Sequence, residues 1–409
     1  MPLKKSHDFF SVAWEDTIMK RYLSKYIDTF SEKKIVLLSG PRQVGKTTTG
    51  KMWLENNHGQ YLNWDIADDR TLIIRKNFLD QEKNTAVLLD EIHKYTRWKS
   101  LLKGIYDKHV PPLRVLVTGS AKLDIFQKSG DSLLGRYELL RLHPFSIGEL
   151  MHGTPIPPPD NWLFPGSNND KTTQATWNRL ERFSGFPEPY LEEDPLQHTR
   201  WSSRRRELLI REDLREISEI KLVDLVEHLY LLLPDRVGSP LSLNSLKEEI
   251  QVAYNSISTW LSVLESLYIC FRISPYFQKL SRSLKKEQKL YLWDWSQVPD
   301  TAARFENMVA CHLLKSVHLW NDIGYGTFDL QYFRNKKKEE VDFIITKDRI
   351  PQVLIECKLS DTRPAKPLIN LSRELGNVPM IQLVNNPDIF IKTENYLVVT
   401  ASRYLSELV

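Results

Sequence analysis

Three short apolar runs, at 34–39, 85–89 and 113–118, are rich in branched residues and are separated by stretches of helical periodicity at 69–79 and 98–108. A run that is apolar at every position suits a strand buried on both faces, and strands alternating with helices predict a parallel sheet. Residues 17–34 read as a helix leading into the first run, and this unit closes near Leu150. Residues 151–171 are dense in Pro, Gly, Asn and Asp and read as a linker. Residues 172–235 read as mostly helical, with further helices at 241–251 and 255–267 and extended runs at 268–275 and 289–293. That order, two helices and then a ribbon, is the order of a winged helix. From 301 the pattern changes again: an amphipathic helix at 302–317, strand-like runs at 328–333, 341–346 and 353–358, a helix at 364–375 and a last strand at 380–384. The chain therefore reads as three units, 17–150, 172–300 and 301–409, with α/β units at both ends and no internal repeat of fixed period.

With 409 residues and 41% hydrophobic positions, there is enough apolar side chain for more than one core. The net charge of +4 does not by itself argue for nucleic acid. The cysteines, Cys270, Cys311 and Cys357, form no CxxC pair, which speaks against a disulfide framework or structural zinc and fits a reducing cytoplasm. The first twenty residues hold no apolar core of a secretory signal, and the longest apolar runs, about seven residues, are too short to span a membrane.

The sequence GPRQVGKTT at 40–48 is a full phosphate-loop match, preceded by a buried strand and followed by a helix-forming stretch. Its members Gly40, Pro41, Arg42, Gln43, Val44, Gly45, Lys46, Thr47 and Thr48 line the expected nucleotide site. The glycines let backbone N–H groups face phosphate oxygens, and the helix N-terminus faces the same charge. Lys46 supplies a point charge to the β- and γ-phosphates of ATP, and the Thr47 hydroxyl is offered to Mg2+. In AVLLDE at 86–91, Asp90 is the second Mg2+ residue and Glu91 the group that polarises the attacking water. The run RVLVTGSA at 114–121 offers Thr118 and Ser120 as sensors of the γ-phosphate. Arg136 reads either as a charge-neutralising arginine, acting in its own chain or in a neighbour's, or as a surface ion pair. His93 reads as structural, and the ten histidines contain no paired metal-ligand spacing.

A second constellation lies near the end. Asp342 in EVDF and Glu356 and Lys358 in ECK flank a turn at 347–351, and alternate positions of one strand share a face. Two carboxylates and a lysine on one face suit a Mg2+-dependent phosphodiesterase, the carboxylates holding the metal and the lysine positioning water. The same residues also suit an ordinary solvated strand face. Basic clusters at 200–211, 279–289 and 334–338 suit contact with a phosphate backbone, or are solvated loops, and residues 256–259 fall in the presumed recognition helix.

The motifs GPRQVGKTT, YLNWD, LLDEIHK, VTGSA and LLGRYELLRLHPFSIGE, followed by FSGFPEPYL, REDL, FEN, EEVDFII and IECKLS, resemble a family of prokaryotic AAA-plus ATPases that carry a C-terminal domain of unknown function. The resemblance implies an AAA-plus P-loop core, a winged-helix-like middle and a restriction-endonuclease-like C-terminal α/β fold. Asp342, Glu356 and Lys358 are similar to the PD-(D/E)xK signature of such nucleases. Glu306 matches the additional acid on the preceding helix, as a further metal residue, and Gln382 belongs beside the site. Three functions stay open. One is an ATPase that engages or remodels duplex or branched DNA, with or without cleavage. Another is a nucleotide-controlled switch or defence scaffold with an inactive nuclease-like module. The last is an ATP-gated defence nuclease. Homo-oligomer formation is compatible with each.

Overall fold

The computed structural model describes residues 20–79, 85–119, 133–153, 157–164, 171–214, 222–277 and 287–409. Ser120, and most of the basic cluster at 279–289, lie outside the described residues. Strands β1 (Ile35–Ser39), β2 (Gln60–Asn63), β3 (Ala86–Asp90), β4 (Arg114–Thr118) and β5 (Tyr137–Arg141) form a parallel sheet in the order β2-β3-β4-β1-β5. Its central strands are buried on both faces. Ile35 and Leu37 pack with Val87, Leu89, Val115 and Val117 on one side, and Val36 and Leu38 pack with Leu88 and Leu116 on the other. The sheet has two more strands than the apolar runs predict. Both β2 and β5 are mostly half-buried at the sheet's edges, so neither reads as a continuous apolar run. The helix expected at 17–34 is shorter, Ser24–Ser31, and the one expected at 69–79 divides into Ala67–Arg75 and a 3-10 turn at Asn77–Leu79.

The second sheet crosses the expected boundary at 300. Strands β6 (Cys270–Pro275) and β7 (Lys289–Leu292) pair as an antiparallel ribbon. The C-terminal strands are β8 (Phe328–Arg334), β9 (Glu340–Lys347), β10 (Ile350–Lys358), β11 (Met380–Val384), β12 (Phe390–Lys392) and β13 (Tyr396–Thr400). The ribbon joins them through β6 and β8, giving one eight-stranded sheet in the order β12-β13-β11-β10-β9-β8-β6-β7. The ribbon that follows the two helices, expected as a wing, is thus also an edge of that sheet. The strand at 380–384 is not the last either, since β13 and the helix Ala401–Leu405 complete the fold. Residues before 300, such as Trp260, Leu264 and Tyr291, share one continuous core with Met308, Phe343 and Ile355 beyond it.

The long helix Thr301–Asp322 packs on this sheet and reaches the first one. Lys315 on that helix donates to Glu149 Oε2 at 2.6 Å and to the Pro144 carbonyl at 3.0 Å. The other oxygen of Glu149 receives Arg21 Nε at 2.6 Å, and Arg21 also donates to the carbonyls of Val44 and His143, both at 2.6 Å. All three charged groups are buried. Burial pushes the Glu149 carboxyl up, but Arg21 and then Lys315 outweigh it and hold it below the usual range. A second tie joins Arg141 at the end of β5 to Asp322 at the end of the long helix.

Replacing Glu149 by Gln leaves two buried cations without their anion and is expected to cost about 3–5 kcal/mol, the usual range for breaking a buried pair. Lys315→Met leaves Glu149 paired with Arg21 and should cost less. Chemical denaturation of both variants beside the parent checks the ranking, and a smaller loss for Glu149→Gln contradicts it.

Candidate functional site

The parallel sheet brings its strand ends together at one place. In register, Leu38 lies beside Thr118, Thr118 beside Asp90, and Asp90 beside Asn63. The chain leaves β1 through Gly40, where φ is 143° and an added Cβ would stand 2.2 Å from the Leu142 carbonyl oxygen, so glycine is required. Gly45 at φ 92° then turns the chain into the helix Lys46–Glu55. Crevices beyond the carboxyl ends of parallel strands are the usual ligand sites of such sheets.

Lys46 is buried and its Nζ donates to the carbonyls of Gly40 at 2.8 Å and Pro41 at 2.6 Å. Thr47 Oγ1 donates to Asp90 Oδ2 at 2.9 Å. The same oxygen receives Tyr61 Oη at 3.1 Å, and Asp90 Oδ1 receives Thr118 Oγ1 at 2.5 Å. Asp90 is therefore a carboxylate held by three hydroxyls from three different elements. Glu91 follows in the left-handed region at φ 56°, with its N–H bonded to the Thr118 carbonyl. Among the described residues its Oε2 has no hydrogen-bond donor, although His93 Nε2 lies 3.5 Å away and Lys94 Nζ 3.8 Å. Burial, reinforced by Asp90, raises the Glu91 carboxyl above its usual range against the opposing charges of Lys94, Lys46 and Arg42. A hydroxyl and a carboxylate side by side, an acid next to them with one oxygen lacking a hydrogen bond, and a lysine at the helix start fit a Mg2+-nucleotide. Thr47 and Asp90 are the residues that would hold the ion.

The remaining sequence candidates fall in different places. Pro41, Val44 and Gly45 shape the loop, Gln43 takes a left-handed φ of 62°, and Thr48 is exposed. Arg42 pairs with Asp213 through two contacts of 2.5 Å. Arg136 is not brought to this loop in its own chain. It precedes β5 at the opposite end of the sheet, its carbonyl accepting from Ile35, and its guanidinium binds Asp107 at 2.7 Å. Tyr61 and Asn63, which donates to Tyr61 Oη at 3.1 Å, were not singled out by the sequence. The signal was present in YLNWD, but an unrecognised edge strand hid its proximity to Asp90.

In the C-terminal sheet, Asp348 and Arg349 form a two-residue left-handed turn that pairs β9 with β10 and sets Phe343 opposite Ile355. Asp342 and Glu356 therefore meet, the Asp342 N–H lying 3.4 Å from Glu356 Oε2. Lys358 Nζ bonds Glu356 Oε1 at 2.6 Å, and Asp342 Oδ2 accepts the Cys357 N–H at 2.9 Å. Glu306 joins from the long helix, accepting from Tyr291 Oη at 2.7 Å. Burial and then Asp342 push both Glu306 and Glu356 up to about 7. Gln382 pairs with Glu356 in the neighbouring strand but is spent on the 361–365 loop, bonding the carbonyls of Asp361 and Arg363 and the N–H of Ala365.

Lys289 is the residue that the sequence placed wrongly. Expected among cations facing a phosphate backbone, it is fully buried, with Nζ 2.6 Å from Glu340, 3.0 Å from Glu306 and 3.2 Å from Asp342. Among the described residues, no group of three or more His, Cys, Asp or Glu is arranged to hold a metal ion. The donor set of Glu306, Asp342 and Glu356 thus does not fit a divalent ion, because its oxygens already serve two ammonium groups, a phenol and backbone N–H groups. Exposed cations remain at Arg200, Arg204 and Arg211 and at Lys336, Lys337 and Lys338, whereas Arg205 is buried over the Phe186 ring at 4.2 Å.

Residues 32–151 match the family described as AAA domain, and residues 175–300 and 302–401 match two domains of unknown function, DUF8612 and DUF4143. An uncharacterized protein of Haemophilus influenzae is 21% identical over 84% of this chain and 87% of its own length. Another, from Methanocaldococcus jannaschii, is 24% identical over 87% of this chain and 82% of its own length. Among solved structures, the Thermotoga maritima RuvB Holliday junction branch migration motor aligns at 16% identity with a TM-score of 0.28, covering 61% of this chain and 88% of that one. No helix among the described residues is long and apolar enough to cross a membrane. The molecule is a mixed α/β protein with an N-terminal parallel sheet of the P-loop AAA kind and a C-terminal mixed sheet.

The Arg42–Asp213 pair yields a test of the loop. Asp213→Asn removes a buried anion that pairs with a phosphate-loop arginine and would leave it available to phosphate. The expected outcome is tighter ATP binding by roughly threefold to tenfold, about the worth of one charge-assisted bond. Titration with a fluorescent ATP analogue checks it, and unchanged or weaker binding contradicts it.

Proposed function

We propose that this chain is a cytoplasmic, Mg2+-dependent ATPase whose nucleotide cycle controls engagement of duplex or branched DNA. The observation that carries the ATPase reading is the Asp90 carboxylate gathering Thr47, Thr118 and Tyr61 beside Lys46. In this reading Lys46 exchanges its two loop carbonyls for phosphate oxygens, and the helix N-terminus adds its partial positive charge. Thr47 and Asp90 hold Mg2+, which when bound neutralises charge on the β- and γ-phosphates. Glu91, raised in pKa and with one oxygen lacking a hydrogen bond, orients a water and takes its proton. Thr118 reports the state of the site by its bond to Asp90, and a homo-oligomer would give Arg136 a neighbouring phosphate to reach. What supports DNA engagement is the pair of exposed basic groups at Arg200, Arg204 and Arg211 and at Lys336–Lys338.

A second reading, a nucleotide-controlled switch with a protein partner and an inactive nuclease-like module, is favoured by the closed ion pairs of the C-terminal carboxylates.

Turnover measured with linear, forked and four-way DNA at low and high salt separates the two. The first reading expects DNA to raise turnover, with the effect falling as salt rises and weakened by a Lys336→Glu, Lys337→Glu, Lys338→Glu triple variant. Lys46→Ala should abolish turnover. Glu91→Gln should keep ATP binding and slow turnover by about 100-fold or more, the usual contribution of a general base. Turnover indifferent to every DNA at low salt leaves the switch.

A further inference from the structure

The sequence sets a lysine at the start of β7, in a segment that the motifs assign to the middle of the chain. The eight-stranded sheet carries that lysine into the C-terminal carboxylate cluster. Lys289 has no exposed side-chain surface, and its Nζ touches one oxygen each of Glu306, Glu340 and Asp342 within 3.2 Å. Its position is fixed from several sides. Its backbone is bridged to Pro240, and Gly238 donates to the Leu290 carbonyl at 3.2 Å. A Cβ at Gly238 would lie 3.3 Å from Glu306 Oε2, so this segment packs directly against the acid. Three further carboxylate oxygens of the cluster also have donors. Asp342 Oδ2 takes the Cys357 N–H, Glu356 Oε1 takes Lys358, and Glu340 Oε2 takes Arg334 at 2.8 Å.

Charge and geometry lead to one conclusion. Four carboxylates, those of Glu306, Glu340, Asp342 and Glu356, meet three cations, Lys289, Lys358 and Arg334. Buried carboxylates without a counterion are strongly unfavourable, so a cation must be present. In a metal-dependent phosphodiesterase that cation is a divalent ion bound to carboxylate oxygens at about 2.0–2.5 Å. Here an ammonium lies against Glu306 and Asp342, two of the three proposed ligands, and a divalent ion sharing those oxygens would face its charge at close range. We propose that the Lys289 ammonium is the resident cation of this cluster. The C-terminal module is then held together by a covalently supplied charge from the β6–β7 ribbon, and it takes up no divalent metal while that ribbon is seated. Lys289 acts as a positioning residue that keeps the carboxylates paired. The inference goes beyond the ATPase reading and is independent of it, because it concerns a separate sheet.

The test uses the full chain without nucleotide, so that failure of the ATPase reading leaves it untouched. Mn2+ binding is measured by calorimetry, and thermal unfolding is followed in chelator and in Mn2+. The parent is expected to bind no Mn2+ in a manner that depends on Asp342 or Glu356, and its unfolding midpoint should not respond to the ion. Lys289→Met removes the charge while keeping a similar volume. Its midpoint should fall in chelator and recover by about 5 °C at Mn2+ near one hundred times the dissociation constant. Adding Asp342→Asn should abolish that recovery, and Lys289→Arg, which keeps the charge, should stay indifferent to Mn2+. Parent protein that binds Mn2+ and loses it in Asp342→Asn or Glu356→Ala overturns the proposal. So does a Lys289→Met variant that is as stable as the parent and indifferent to Mn2+. Should Lys289→Met not fold, the parent and its Asp342→Asn and Glu356→Ala variants decide alone.

Discussion

Three buried charges tie the segment before β1, the segment after β5 and the long helix to the phosphate loop. Glu149 stands between Arg21 and Lys315, and Arg21 passes on to the Val44 carbonyl inside the loop itself. Removing such groups from water is costly, and the cost is offset only when each finds its partners in good geometry. The ion network therefore demands that the residues before β1, the segment after β5 and the long C-terminal helix stand in one arrangement. Gly148 belongs to the same constraint: a Cβ there would lie 1.6 Å from the Leu408 carbonyl oxygen, so Leu408 packs directly on the helix Ile147–His152 that carries Glu149. The nucleotide loop and the C-terminal sheet are connected by contacts that tolerate little displacement.

A second connection runs from the loop to the middle of the chain. Arg42 leaves the phosphate loop and binds Asp213, at the end of an irregular π-helical turn, Leu208–Asp213. Phosphate oxygens and the Asp213 carboxylate are both anions that a guanidinium binds in a bidentate manner. Asp90 has the complementary role of fixing the site from within, since its three hydroxyl donors come from the helix after the loop, from β2 and from β4.

The C-terminal sheet illustrates how one side chain changes the chemistry of a motif. Asp342, Glu356 and Lys358 stand together as their spacing implies, on paired strands joined by a two-residue turn. Yet the same constellation with Lys289 inserted is a set of ion pairs rather than an open ligand set. Residue types on a strand state what is possible, and the neighbours of each oxygen decide what is left to bind.

Local signals were legible where the chain's own geometry carries them. The apolar runs at 34–39, 85–89 and 113–118 announced buried parallel strands because each position is covered on its own face. The loop at 40–48 was readable because glycine, lysine and threonine at fixed spacing follow from how a strand turns into a helix around phosphate. The hairpin of Asp342 and Glu356 was readable because strand alternation and a short turn set its register. Strands β2, β5, β12 and β13 escaped notice, the first three because an edge strand is only partly buried or exposed and lacks a full apolar run. What the tertiary structure alone decided were encounters across long separations. Lys289 meets Asp342 across 53 positions, Arg42 meets Asp213 across 171, and Lys315 meets Glu149 across 166. Arg136 lies far from the loop of its own chain because parallel strands put the start of β5 at the opposite end of the sheet. A charged residue in a sequence has no address for its partner, and only the packing of the sheets supplies one.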